Sequence, residues 1–164
     1  MTGKVEVASR AAQKAYRDQL PKKRMGSGAL FVDGKRRVLL VEPAYKPVWE
    51  IPGGVVEKDE SPKACCQREV AEELGLKLEI GRLLLVDYNA PTDEKTESLM
   101  FLFDGGILSQ AAIGGILLQD QELLSFRFFD IEQLPENLSP ALRQRVVAAY
   151  QRRADGGDAY FENP

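Results

Sequence analysis

The chain of 164 residues contains no histidine. A Ser-His-Asp or Cys-His nucleophile system needs an imidazole base, and a His-ligated zinc centre needs an imidazole ligand. This chain supplies neither, so acid–base and metal chemistry fall to carboxylates, hydroxyls, lysines and backbone carbonyls. Cysteine is scarce too: Cys65 and Cys66 are adjacent, with no C-x-x-C spacing. Neighbours on a helix do not readily close a disulfide, and two thiols alone do not make a structural zinc site. Both read as small core residues in a reducing compartment. No apolar run approaches the ~20 residues of a membrane span, and the polar start MTGKVEVASR is unlike a signal peptide. The expectation is a cytoplasmic protein with no membrane partner. Positive charge is in short supply, with 22 Lys and Arg against 25 Asp and Glu and a net charge of −3. That balance argues against sequence-independent nucleic-acid binding, which relies on a basic surface.

What is present describes an ordinary globule: 44% apolar and 29% charged residues, in a chain long enough to bury roughly 70% of its unfolded surface as one domain. The charge is uneven. Residues 1–25 carry Lys4, Arg10, Lys14, Arg17, Lys22, Lys23 and Arg24 against Glu6 and Asp18, so the remainder is clearly acidic. Ala8, Ala11, Ala12, Ala15 and Tyr16 recur at helical spacing before Leu20-Pro21, which predicts a helix over 9–20. This stretch forms an N-terminal helical arm, 1–24, either a solvated helix or a surface for phosphate or a partner. Two apolar runs flank Asp33-Gly34, a hairpin signal. Residues 49–51 read as a short strand before Pro52-Gly53-Gly54. The strongest helix spans 62–74, with Ser61 to cap it, Pro62 in its first turn and Gly75 to end it. Strands are predicted over 83–88, 98–103 and 126–130, a long loop over 104–121, and a last helix from Ser139-Pro140 to about residue 153. Residues 25–153 then form the main domain and 154–164 a flexible C-terminal tail. The fold class is α/β with a central mixed sheet.

On the helix over 62–74, Glu69, Glu72 and Glu73 fall within about a third of the circumference, beside a core-facing stripe of Cys66, Val70 and Leu74. Like charges at i,i+3 and i,i+4 each cost a few tenths of a kcal/mol, and the helix dipole disfavours anions at this C-terminal end. A divalent cation would reverse both penalties, and an all-carboxylate site suits hard Mg²⁺, or Mn²⁺. The plainer reading is an acidic solvent face relieved by Arg68, which can pair with Glu72.

The segment GVVEKDESPKACCQREVAEELGL, from Gly54 through Glu60, Arg68, Glu69, Glu72, Glu73 and Gly75 to Leu76, resembles the Nudix box, G-x5-E-x7-R-E-U-x-E-E-x-G-U with U aliphatic. Every defined position matches. The approach through Trp49, Glu50, Ile51, Pro52 and Gly53 is also similar to that family. The resemblance implies an α/β/α sandwich and hydrolysis of a diphosphate linked to another group, usually a nucleoside diphosphate derivative. It implies that Glu69, Glu72 and Glu73, with the Gly53 carbonyl, hold Mg²⁺, and that Arg68, with Glu60, orients the carboxylates. Such chemistry needs no histidine, since metal ions neutralise an anionic phosphorus and position the water. The base that takes the water's proton stays open between the box and a distal loop, where Glu122 stands at the position of relatives. Glu94 and Glu97 are weaker candidates.

Outside the box the sequence says less. No S-Q-P-W-P-F-P-like run follows it, as NADH-cleaving members would show, and the coenzyme A motif is absent. Pro91 lies roughly where ADP-ribose-cleaving members place a proline, but is more simply a turn residue. Tyr45, Trp49 and Tyr88 could stack on a base, although Trp49 suits the core better; Arg36, Arg37 and Arg82 could reach phosphates. A small, nucleotide-derived phosphorylated substrate fits an acidic chain, with an RNA 5′ end left open by the basic arm and a homodimer by the resemblance. Two other readings use the same fold: a catalytically silent domain that senses a nucleotide, which an intact box disfavours, and a diphosphate isomerase, which would want a cysteine outside the box.

Overall fold

The computed structural model describes residues 9–119, 121–156 and 160–163. Its elements are α1 (Arg10–Asp18), β1 (Arg24–Val32), β2 (Val38–Pro43), β3 (Gly53–Val55), α2 (Pro62–Leu74), β4 (Leu83–Asn89), β5 (Ser98–Ile107), α3 (Gln110–Gly114), β6 (Leu123–Phe129), a 3-10 turn (Ile131–Gln133), α4 (Pro140–Asp155) and β7 (Tyr160–Asn163). Among the described residues seven strands make one sheet in the order β6-β2-β1-β5-β4-β7, with β3 also pairing β1. The pairs β1–β5 and β4–β7 are parallel and the others antiparallel.

The central strand explains the layering. Ala29, Leu30, Phe31 and Val32 are all fully buried, so β1 is covered on both faces, and successive side chains serve opposite layers. Ala29 and Phe31 pack with Cys66, Val70 and Leu74 of α2. Leu30 and Val32 pack with Leu142, Val146 and Ala149 of α4. One helix on each face of a mixed sheet is the expected α/β/α sandwich.

Several local expectations change. The turn after β1 runs from Asp33 to Arg37, and its positive φ falls on Arg36 (65°) rather than on Gly34. The 2%-exposed Asp33 organises it, accepting from the backbone N–H groups of Lys35 and Arg37 (2.9 Å each) and from the Arg37 guanidinium. The side chain thus supplies an order that the two-residue hairpin reading assigned to backbone conformation. Residues 49–51 form only isolated bridges, Val41 to Glu50 and Trp49 to Leu138. The stretch 104–121 is not one loop: β5 continues to Ile107 with an extra residue at Gly105, and α3 follows. Where a flexible tail was expected, α4 extends to Asp155 and β7 pairs with β4 from Val86–Tyr160 onward. No residue of α1 is buried. No helix among the described residues is long and apolar enough to cross a membrane.

Candidate active site

Helix α2 is fixed at both ends. The Ser61 hydroxyl accepts from the Ala64 N–H (3.2 Å), Pro62 occupies the first turn, and Gly75 closes the helix at φ 67° with its N–H donating to the Ala71 carbonyl. Burial of Cys66, Val70 and Leu74 sets the rotation. Glu69 and Glu73 then turn toward β3 and a cleft, whereas Glu72 remains 48% exposed.

The two glycines of β3 make room for these carboxylates. A Cβ on Gly54 would stand 2.3 Å from Glu69 Oε1, so the carboxyl lies against the bare Cα. Gly53 adopts φ 150°, and a Cβ there would meet the Ser27 carbonyl at 2.3 Å; only glycine suits both demands. The Gly53 N–H donates to Glu73 Oε2 (2.8 Å). Arg68 knits the rest together. Its Nε and Nη2 donate to the two Glu60 oxygens (2.9 and 3.1 Å), and Nη1 donates to Glu69 Oε1 (2.8 Å) and Glu72 Oε2 (3.0 Å). This bidentate grip holds the Glu60 carboxyl down to about 2, helped by the Glu57 N–H, and fixes the box geometry.

The electrostatics of the two cleft glutamates run the other way. Burial pushes Glu73 up to about 8 against the Gly53 N–H, and the charges of Glu69, Glu122 and Glu50 add to the rise. Burial also raises Glu69, although Arg68 opposes it, with Glu72 and Glu122 contributing repulsion. Desolvated carboxylates crowded by like charge favour a proton or a cation. Among the described residues no three acidic groups converge on one point, because Glu72 is turned to Arg68 and Glu73 to Gly53. The donor set nonetheless fits a hard cation: oxygen ligands only, two of them desolvated and mutually repelling. The thiols take no part in such chemistry, since burial pushes both Cys65 and Cys66 up to about 12 and a thiol is a nucleophile only as thiolate.

The cleft measures about 900 Å³. Gly53, Gly54, Glu69, Glu73 and Glu122 line one end, with Tyr45 and Lys46 at its rim. Glu122, far in sequence, is thereby brought to the box glutamates; its carbonyl accepts from the Ala44 N–H (2.8 Å), which ties its turn to the end of β2. Other candidates lie elsewhere. Trp49 stacks edge-on against Phe129 at 5.1 Å and belongs to the core beside α4. Tyr88 donates to Glu97 (2.9 Å), which Lys23 also pairs, and Arg82 donates to the Arg152 carbonyl; none of these lines the cleft. Arg24, which the sequence placed in the basic arm, lines its far end with Asn89, Lys95, Ser98, Met100 and Arg145, which sequence reading passed over. They come from β1, β4, β5, α4 and a loop, and no local pattern joins them.

A family model described as NUDIX domain matches residues 22–150. The chain is 45% identical over 47 residues to a "MutT-like protein" of Streptomyces ambofaciens, covering 29% of this chain and 30% of that one. It is 43% identical over 60 residues to "Diphosphoinositol polyphosphate phosphohydrolase 2" of Rattus norvegicus, covering 36% and 34%. The matched segments thus span about a third of the length of these relatives. Among solved structures, a "UDP-X diphosphatase" superposes with a TM-score of 0.72 at 24% identity over 94% of this chain and 76% of that one, a likeness of fold. With the family match running from the start of the sheet into α4, and the complete box seated on α2 and β3, this chain belongs to the Nudix hydrolase family.

Proposed function

We propose that the chain is a Mg²⁺-dependent pyrophosphohydrolase, with Mn²⁺ an alternative cation, that cleaves a nucleoside diphosphate linked to another moiety by water attack at phosphorus. The moiety is ADP-ribose-like, a nucleotide sugar or the remainder of a nucleoside triphosphate. One observation carries this reading: Glu69 and Glu73 are desolvated side by side against Gly53 and Gly54, facing a cleft that Glu122 shares. Glu69, Glu72, Glu73 and the Gly53 carbonyl would hold the cation once Glu72 and Glu73 turn from Arg68 and the Gly53 N–H, and the bound cation would neutralise phosphate charge and acidify water. Arg68 keeps Glu69 and Glu72 oriented through Glu60. Glu122 or one of the box glutamates accepts the water's proton, a role open to a carboxylate positioned within reach of the attacking water. The names of the rat phosphohydrolase and of the UDP-X diphosphatase accord with a diphosphate substrate.

The test is a panel of ADP-ribose, NADH, dinucleoside polyphosphates, oxidised dNTPs and nucleotide sugars with and without Mg²⁺, wild type beside Glu73→Gln. Hydrolysis of at least one compound is expected, releasing a nucleoside monophosphate or phosphosugar, with a loss of about two orders of magnitude or more in the variant. Equal rates in the two proteins, or tight binding with no turnover, would overturn it. The latter result would favour a nucleotide-sensing domain, a reading that the engagement of Glu72 by Arg68 supports.

A further inference from the structure

The far end of the cleft is cationic in an otherwise acidic chain. Strand register places Arg24 opposite Ser98 and Ser98 opposite Asn89, with Gly26, Met100 and Asp87 as the next row on the same face. Asp87 is 0% exposed. Arg145, reaching down from α4, donates from Nε to Asp87 Oδ2 and from Nη2 to Asn89 Oδ1 (2.6 Å). Its Nη1 has no hydrogen bond among the described residues, and no buried side-chain nitrogen there lacks a partner. That nitrogen is therefore open, on a side chain that lines the cleft. Arg24 is braced in a similar way, donating to the Thr96 hydroxyl (2.8 Å) and carbonyl (2.5 Å), and Lys95 lines the cleft beside it.

A buried carboxylate is costly unless paired, and Asp87 fixes a guanidinium whose planar fork suits phosphate. The orientation is set before any ligand arrives, which lowers the entropy lost on binding. Asp87, which anchors Arg145, is also remote from the glycine strand of the glutamate end. From β3 across β1 and β5 to β4 there are three inter-strand steps of ~4.8 Å, about 14 Å in all, more than one diphosphate spans, and Arg24 on β1 lies between them.

We propose that Arg145, with Arg24 and Lys95, forms a second anion subsite that takes a phosphate carried by the substrate outside the scissile diphosphate, and that Asp87 is the positioning residue for Arg145. This rests on the pyrophosphohydrolase reading and narrows its substrate to nucleotide conjugates bearing an additional phosphate. Arg145 and Arg24 contact that phosphate, while the box glutamates work at the other end of the cleft.

The test uses matched pairs that differ by one ribose phosphate: 2′-phospho-ADP-ribose against ADP-ribose, and ADP-glucose with a 2′-phosphate against ADP-glucose without it. For at least one pair, wild type is expected to favour the phosphorylated member by about tenfold or more in kcat/KM, the scale of a charge-assisted hydrogen bond. Arg145→Ala should bring that ratio to within about twofold, and Arg145→Lys, which keeps charge without the fork, should fall between. Asp87→Asn should raise KM for the phosphorylated member far more than it lowers kcat, a split that general destabilisation does not produce. Should Arg145→Ala fail to fold, Arg24→Ala at the exposed rim carries the same ratio. Wild-type ratios near one for both pairs, or a ratio moved by neither arginine variant, would overturn the subsite. If no compound is hydrolysed, the enzymatic reading fails by itself; calorimetric titration of the same four compounds then measures the subsite through the ratio of their affinities.

Discussion

Gly54 and Glu69 are in contact, and the contact leaves no space for a methyl group. A Cβ at Gly54 would lie 2.3 Å from Oε1 and 2.4 Å from the carboxyl carbon, while Arg68 holds the same oxygen from the other side at 2.8 Å. Gly54→Ala should therefore displace the Glu69 carboxylate by about an ångström and lower kcat by ~100-fold, a loss typical of such misplacement. A steady-state assay with the substrate found in the panel, run beside a thermal melt, separates this from unfolding; a variant with wild-type kcat would contradict the assigned contact. Asp33 shows the opposite balance. Burial alone would raise its carboxyl, but the Arg37 N–H, the Arg37 guanidinium and the Lys35 N–H hold it below the usual 3.8. A lowered folded-state pKa contributes stability that is fully present above the unfolded value and is lost as pH falls through the folded one. Urea midpoints of wild type and Asp33→Asn should thus differ most at neutral pH and converge as pH falls below about 4.

At the scale of elements, α2 matters because its rotation and its C-terminal end together set where the glutamates lie. The rotation comes from three apolar side chains, and the end comes from Gly75 in the left-handed region at φ 67°. Replacing Gly75 with alanine should cost about 1 kcal/mol from that conformation alone. Leu117 packs against the same spot: a methyl group on residue 75 would stand 3.1 Å from the Leu117 Cβ, and the Leu117 N–H donates to the Leu74 carbonyl (2.9 Å). The cost should appear as a lower urea midpoint with little change in KM, since the cleft lining is not touched. A midpoint equal to wild type would mean that the helix end does not depend on this cap. The ends of α2 were legible in sequence because Ser61, Pro62 and Gly75 act within one turn of themselves. The turn after Asp33 was read less well, because its order comes from a side chain bonding two and four residues ahead.

Over the whole molecule, the sheet with α2 and α4 holds the buried core, while α1 contributes no buried residue. Among the described residues its side-chain ion pair is Lys14 with Asp18, internal and largely exposed, and such pairs are worth little. Deleting residues 1–21 should shift the melting midpoint by less than about 2 °C, against the ~4 °C or more that a loss of 1–2 kcal/mol would bring. A larger drop would show that the arm docks on the domain. The C-terminal end is tied differently: Arg153 pairs with Asp104 (2.8 Å) and Arg145 with Asp87, so α4 is clamped to two strands of the sheet.

The residue types and spacing of the box, the missing histidines and the alternation of apolar segments determined the family, the fold class and the absence of imidazole from the candidate site, because each depends on interactions within a few residues or on composition alone. The glutamate stripe, the arginine that can pair with it and the helix caps are of that kind. Which distant side chains meet those glutamates was decided only by tertiary structure. Glu122 reaches the box through the turn before β6, Trp49 is drawn into the core by Phe129, and Arg145 reaches the cleft from α4 because Asp87 on β4 holds it there. The physical reason is that a cleft is made where the ends of several elements converge, and no period along the chain encodes their meeting.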